Sequence, residues 1–403
     1  MKPCIHGRAN RGNGGAVAAV FESKKQIPGK RKMRFSIRSG GLALGFVVLV
    51  ASIGWSQQYR SAYLSRRVRA GVVPARGVDS QSLAAQATAG TTLPHWTGSF
   101  IADDNTYSYR MLGTDPSLGS QTTTIPAILI PLKLVFSDKT VLDATAPVFG
   151  QTQSSLQLTQ ASPLFQNVSF APGGTNVGDT QYIDAFQRAN FWNLVSTTSP
   201  DYHVLFTVTT EPVQTLTVPK YFGHTEAGPG NRIGYVDFDW YDGQLGVILY
   251  RLKIKTNTLA VFLNYNVMQT SGAVTYAGYH AAFGSPAQAY LSAGFYDQSI
   301  FSYGGDIIFL SNEMGATMDD PFANNSVPPW TNPQSPSGPC SRQLQVGEPV
   351  SDVGINTVVL SGYTYHPQDL TFLGWFAGET PTTTSVNGWY TFGNNLTGPA
   401  VCG

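Results

Sequence analysis

The sequence predicts an α+β protein in which strands dominate, and three observations lead there. Charged residues make up only 12% of the chain while Gly (42), Pro (25), Tyr (19) and Phe (22) are plentiful, a balance that suits strands joined by tight turns. Short runs rich in β-branched and aromatic residues recur between turn signals from residue 124 to residue 268. Two segments break this rhythm with a helical spacing of apolar residues, one near 181–195 and one near 306–319. The 403 residues suffice for one large domain or two ordinary ones. Composition divides them into a leader over 1–56, a flexible connector over 57–92 and a single large β-rich domain over 93–403.

The leader has the layout of an export signal. Residues 1–56 carry ten Lys and Arg against one acid, Glu22. An uncharged apolar run, LALGFVVLVASIGW (42–55), follows, with Gly54 and Ser56 as small residues before Gln57. The run is shorter than the roughly 20 residues that span a bilayer. A cleaved signal is therefore expected over an uncleaved anchor, giving a secreted or periplasmic protein with no membrane attachment after cleavage. The rest of the chain holds 15 basic and 23 acidic residues, a net of −8, which phosphate would repel; nucleic acid is not an expected partner. Beyond the leader only Cys340 and Cys402 remain, an even pair that an oxidising compartment would join as a disulfide. Two free thiols are the other possibility. Neither cysteine has zinc-ligand spacing.

Along the domain, TIPAILIPLKLVFSD (124–138) reads as a strand whose two prolines place it at an edge or a bend. HVLFTVTTEPVQTLTV (203–218) reads as one or two strands, and IGYVDFDWYDG (233–243), VILYRLKIK (247–255) and LAVFLNYNVM (259–268) as short ones. TQYIDAFQRANFWNLV (180–195) is a helix with Thr180 as N-cap and a stripe of Ile183, Phe186 and Phe191. DIIFLSNEMGATMDDP (306–321) is a helix capped by Asp306, with Ile307, Leu310, Met314 and Met318 on one face and Pro321 as its stop.

Several catalytic patterns are missing. There is no GxSxG elbow, and neither cysteine has a neighbouring His. GPGNRIG (228–234) is a turn, not a phosphate cradle. Asp237, Asp239 and Asp242 before Gly243 approach a calcium loop but miss its spacing by one residue, and a solvated strand face accounts for them better.

The strongest signal is the 306–321 helix in its context. Gly278-Tyr279-His280 precedes Asn312-Glu313-Met314-Gly315-Ala316, which ends in Asp320-Pro321; Trp330 and then Gln345-Val346-Gly347-Glu348 follow. Over roughly residues 96–403 this resembles secreted zincin-like proteins related to the phosphate-induced (Exordium) type. Those carry GYH, a helix HE(L/M)xExxxDP, a Trp and a C-terminal E(V/I)GD. The resemblance implies a zincin-like fold with 306–319 as its central motif helix, and zinc held by the first His and by the acid one turn later. It also implies a Glu that deprotonates the metal-bound water. Here those ligand positions hold Asn312 and Ala316, and the acidic position of the last element holds Gln345. Only Glu313, the base, survives. An amide is a poor zinc ligand and a methyl is none. Neutral groups also relieve the cost of stranding carboxylates in a metal-free buried site.

The expectation is an exported pseudoenzyme that takes no cofactor. Its vestigial base is Glu313, and its degenerate pocket comprises His280, Asn312, Ala316, Gln345, Glu348 and Trp330. Its partner would be a peptide, a protein or a cell-surface glycan. Two other readings stand beside it. One is an active metal-dependent hydrolase with unusual ligands, for instance His280, His224 and Glu313. The other is a glycan-binding or adhesive protein presenting Trp240, Trp330, Trp375 and Trp389.

Overall fold

The computed structural model describes residues 64–66, 91–272, 274–301, 305–351, 353–380 and 382–402. The leader and nearly all of the connector lie outside these residues. Twelve strands build two sheets. In chain order they are β1 (Leu64–Arg66), β2 (Thr122–Phe136), β3 (Val141–Asp143), β4 (His203–Thr210), β5 (Gln214–Val218), β6 (Gly223–Ala227), β7 (Arg232–Asp237), β8 (Leu259–Tyr265), β9 (Val267–Ser271), β10 (Val274–Tyr276), β11 (Gly278–Phe283) and β12 (Gln288–Phe295). The larger sheet runs β1-β11-β12-β8-β2-β3, with β4 and β5 also pairing β2; the smaller runs β6-β7-β9-β10. Short two-stranded ribbons complete the strands, among them the hairpin His95–Ala102/Asn105–Leu112. The fold is mixed α+β and rich in strands, as expected.

The β2 segment is a strand, but it lies inside the sheet and not at an edge. It pairs in parallel with β8 through residues 127–131, with β4 through 122–129 and with β5 through 132–136. Its prolines fit because each falls where one side lacks a partner. Pro131 sits in the gap between the β4 and β5 ladders, and Pro126 one residue before the β8 ladder begins. A proline removes one donor from one side only.

Both faces of the sheet are covered, which explains why β8 is buried at every residue. Leu259, Val261 and Leu263 join the core beneath helices α1 (Tyr182–Asn190) and α3 (Ile308–Asp319); Ala260 and Phe262 join the core beneath α2 (Phe238–Leu252). α2 corrects the sequence reading, which took 233–243 and 247–255 for strands; of these only 233–237, within β7, is strand. Phe238, Tyr241, Leu245, Ile248 and Leu249 are buried at helical spacing on one face, and Asp237 caps the first turn by accepting from the Trp240 N–H at 2.9 Å. Asp239 is exposed in the first turn, and the Asp242 carboxylate accepts from Tyr279 and Tyr290. The three acids are therefore a cap, a surface residue and a buried acceptor.

α1 starts at Tyr182, and its cap position is Gln181 without a side-chain cap bond; Thr180 instead donates to Asp184 at 2.7 Å. A second short helix, Trp192–Val195, follows. Asp306 lies just outside α3, where it accepts from the Ile307 and His366 N–H groups and pairs with the His366 ring at 2.7 Å. The described residues belong to one compact unit, Ala51–Gly403. No helix among them is long and apolar enough to cross a membrane. Cys340 and Cys402 form a disulfide with a Cα–Cα distance of 6.0 Å.

Candidate functional site

All twelve residues of α3 are buried, so the helix is no amphipathic surface element with one apolar stripe. It packs on β11, β12, α1 and the hairpin strand Asn105–Leu112. Beyond its first turns runs the segment 344–348. That segment is held by the Thr371 N–H on the Val346 carbonyl (2.7 Å) and by the Gln368 amide on the Gly347 carbonyl (2.6 Å). Gln368 in turn donates its own backbone N–H to Ser311 Oγ of the helix at 2.8 Å. The motif residues are thus drawn together by an interior helix, strand β11 and a strap.

His280, on β11, faces the second turn of α3 and its Nδ1 lies 3.0 Å from Glu313 Oε2. Gly278, one pleat away on the same strand face, leaves room for Glu313: a Cβ there would sit 3.0 Å from Glu313 Cγ. Asn312 lies against Gly347, where a Cβ would fall 2.0 Å from Asn312 Nδ2. Glu348 is half-buried, and its carboxyl feels that of Glu313. Ala316 and Gln345 are buried as well. Among the described residues His280 Nε2, both polar atoms of the Asn312 amide, Glu313 Oε1, Gln345 Nε2 and Glu348 Oε2 have no hydrogen-bond partner. Most buried polar groups are paired, so such a concentration in one place marks a site rather than ordinary packing.

Burial sets the charge state. It pushes His280 down to about 4, and it raises Glu313 and Glu348 well above the ordinary carboxyl range, with Glu348 raised further by the Glu313 carboxylate. Asp320, at the end of the helix, is raised to about 6 and Asp319 well above its usual value, both by burial first. Raising a carboxyl by burial disfavours its charged form, the form a general base needs. The Asp-Asp-Pro ending has a structural account: Asp320 Oδ1 accepts from the Asn324 and Asn325 N–H groups, and Asn325 bridges the Asp319 carbonyl to both backbone groups of Arg110.

These groups do not fit zinc. The two positions one turn apart offer an amide and a methyl, and His280 Nδ1 and Glu313 Oε2 satisfy each other. Among the described residues no three His, Cys, Asp or Glu side chains are arranged to hold a metal ion. His224 is elsewhere. It lies on β6, stacks on Tyr235 and meets Glu226 at 3.5 Å with its side chain largely exposed. Trp330 belongs to an aromatic cluster with Trp375 and Phe376 and donates to the Gln343 carbonyl at 2.9 Å. Of the four tryptophans proposed as a display surface, Trp330 and Trp375 are buried and Trp240 and Trp389 half-buried, with Trp240 stacked on Phe222.

The buried acids fix the sign of a pH dependence. A carboxyl whose folded pKa is raised holds its proton after the unfolded chain has lost it, so stability falls as pH rises from about 4 through the folded value. His280 opposes this, because its depressed pKa removes stability as pH falls from about 6.5 to about 4. One imidazole stands against four carboxyls, so the melting temperature is expected to fall from pH 5 to pH 8. Glu313→Gln, neutral at every pH, should flatten that slope. Calorimetric scans at four pH values check both; a melting temperature that rises across this range contradicts the assignment.

Compared with known proteins, the chain matches no family model, no curated protein and no solved structure.

Proposed function

We propose that the protein is an exported, zincin-like pseudoenzyme: a chain of metallopeptidase ancestry that holds no zinc and acts by binding a peptide, a protein or a cell-surface glycan. One observation carries the reading. The motif residues that are separate in sequence meet around α3, and three that should bind metal or carry charge are the neutral Asn312, Ala316 and Gln345. Glu313 is left beside His280, with a raised pKa and no metal-bound water to activate. Export is supported by the basic and apolar leader and by the Cys340–Cys402 disulfide, since such bonds persist in oxidising compartments.

A second reading, a hydrolase with non-standard ligands, draws on the same cluster, because His280 and Glu348 are both neighbours of Glu313. Metal content separates the two. Purified protein dialysed against micromolar zinc is expected to show a stoichiometry near zero by elemental mass spectrometry. About one tightly held zinc per chain would overturn the pseudoenzyme reading and make His280, Glu313 and Glu348 the ligands to test.

A further inference from the structure

A cleft of about 270 Å³ opens elsewhere on the domain and uses no residue of the motif cluster. Phe149, Gln151, Asp297, Gln298, Ser299 and Tyr363 contribute to its lining. Three features set it apart from a chance depression.

First, its aromatic wall is displayed and held in place. Phe149 is 59% exposed, an unusual state for a phenyl ring on a folded domain. Its backbone N–H nevertheless donates to the Tyr265 hydroxyl at 3.0 Å, and its ring lies over Gly230, where a Cβ would come within 2.8 Å of it. Tyr363, half-buried, stands on the lining too, with its hydroxyl accepting from the Gln298 amide at 3.3 Å.

Second, the floor is a carboxylate set in a rigid frame. Asp297 is 5% exposed. Its Oδ1 accepts from the Tyr265 hydroxyl at 2.7 Å and its Oδ2 from the Asn266 amide at 2.8 Å, while its own N–H donates back to Asn266 Oδ1 at 2.9 Å. Asn266 can bond both ways because it sits in the left-handed region at φ 54°, at the bend between β8 and β9. Tyr265 thus ties the aromatic wall to the acidic floor.

Third, the charge is unanswered. Among the described residues no Lys, Arg or His forms an ion pair with Asp297. Its hydrogen-bond partners are neutral, and burial raises its pKa despite them. A buried acid without a cation is costly, and a cation arriving from outside removes that cost.

We propose that this cleft binds the guanidinium group of an arginine side chain presented by a partner peptide or protein. A planar cation can lie on the Phe149 and Tyr363 rings while its N–H groups reach Asp297 and the side-chain oxygens of Gln151, Gln298 and Ser299. Arginine suits such a mixture of ring faces and fixed acceptors better than a compact ammonium does. The net charge of −8 outside the leader draws basic partners toward the surface.

The test is a calorimetric titration of the purified protein at neutral pH and low salt with four probes: Nα-acetyl-arginine amide, its lysine counterpart, the citrulline amide, which keeps the shape of arginine but carries no charge, and N-acetylglucosamine. Saturable binding of the arginine probe is expected, with the lysine probe weaker and the citrulline probe at least about tenfold weaker. Asp297→Asn should weaken the arginine probe at least about tenfold and Phe149→Ala by about threefold. Phe149→Ala alters an exposed side chain, so it serves even where the Asp297 variant does not fold. Equal binding of arginine and citrulline, binding indifferent to Phe149→Ala, or no saturation by the arginine probe would each overturn the proposal. So would saturable binding of N-acetylglucosamine that requires Phe149, which would reassign the cleft to sugars.

Discussion

A chain carrying Asn312→His, Ala316→Glu and Gln345→Glu is expected to retain about one zinc ion per molecule after dialysis, where the parent chain is expected to retain almost none. The argument is geometric. Positions 312 and 316 are one turn apart on α3 and so project to neighbouring places. The Asn312 side chain reaches the strap at Gly347, two residues from Gln345. Ligands placed at all three positions would therefore point into one volume, beside Glu313 and His280. Three protein ligands and an open fourth position suffice for zinc. Binding should also appear as a thermal shift that a chelator reverses, worth about 4 kcal/mol at a thousandfold excess over the dissociation constant. Without zinc the variant should be less stable than its parent, because two more carboxyls are then buried without a counter-charge. A variant that folds with the parent's circular dichroism and takes up no zinc would remove the zincin-like reading of the site. A parent that already binds zinc would remove the pseudoenzyme reading instead. The two failures are distinct.

How much of this could be read from the sequence depended on what determined each feature. Residues 203–218 were legible as strands because their β-branched content agrees with their place in the sheet. The gathering of His280, Asn312, Glu313, Gln345 and Glu348 could be expected only through the order of motifs along the chain, since no local period links residue 280 to residue 348. α2 was missed because Val247, Ile248, Leu249 and Tyr250 form a strand-like run; its helical stripe shows only over the full length from Phe238 to Leu249, and its cap, Asp237, was taken for part of an acidic strand face. The hairpin His95–Ala102/Asn105–Leu112 was missed for a different reason. Its turn is built by Asp103 and Asp104, both at positive φ, without the glycine that usually signals such a turn. The interior position of β2 was hidden by two prolines whose missing donors fall in gaps of the ladder, a matter of register that a single strand cannot reveal. The cleft at Asp297 is drawn from the end of β12, the segments 148–151 and 297–299 and the ribbon strand Tyr363–Tyr365, so no stretch of sequence announces it.

Gly347→Ala is expected to destabilise the protein by about 2–3 kcal/mol, and Asn312→Ala should relieve most of that loss. Gly347 has an ordinary backbone conformation, φ −93° and ψ −27°, which alanine adopts freely. Considered by torsion alone the substitution should even be mildly stabilising. Its cost is spatial: the new Cβ would fall 2.0 Å from Asn312 Nδ2 and 2.4 Å from Asn312 Cγ. Asn312 cannot swing away, since α3 is buried on every side. Asn312→Ala alone should change stability by less than about 1 kcal/mol, because the packing it loses is offset by removing two buried polar atoms that have no partner among the described residues. The double variant should then resemble Asn312→Ala, giving a favourable coupling of about 2 kcal/mol in a cycle measured by denaturant unfolding. A Gly347→Ala chain as stable as its parent, or a loss that persists when Asn312 is shortened, would show that the amide and the strap are not in contact. The contact bears on function as well as stability. Under the zincin-like reading, the Asn312 amide, pressed on the backbone of the strap, occupies the volume where a metal ligand would stand. Under the pseudoenzyme reading the lost site is therefore a packed interior, and a partner would meet the protein at its surface.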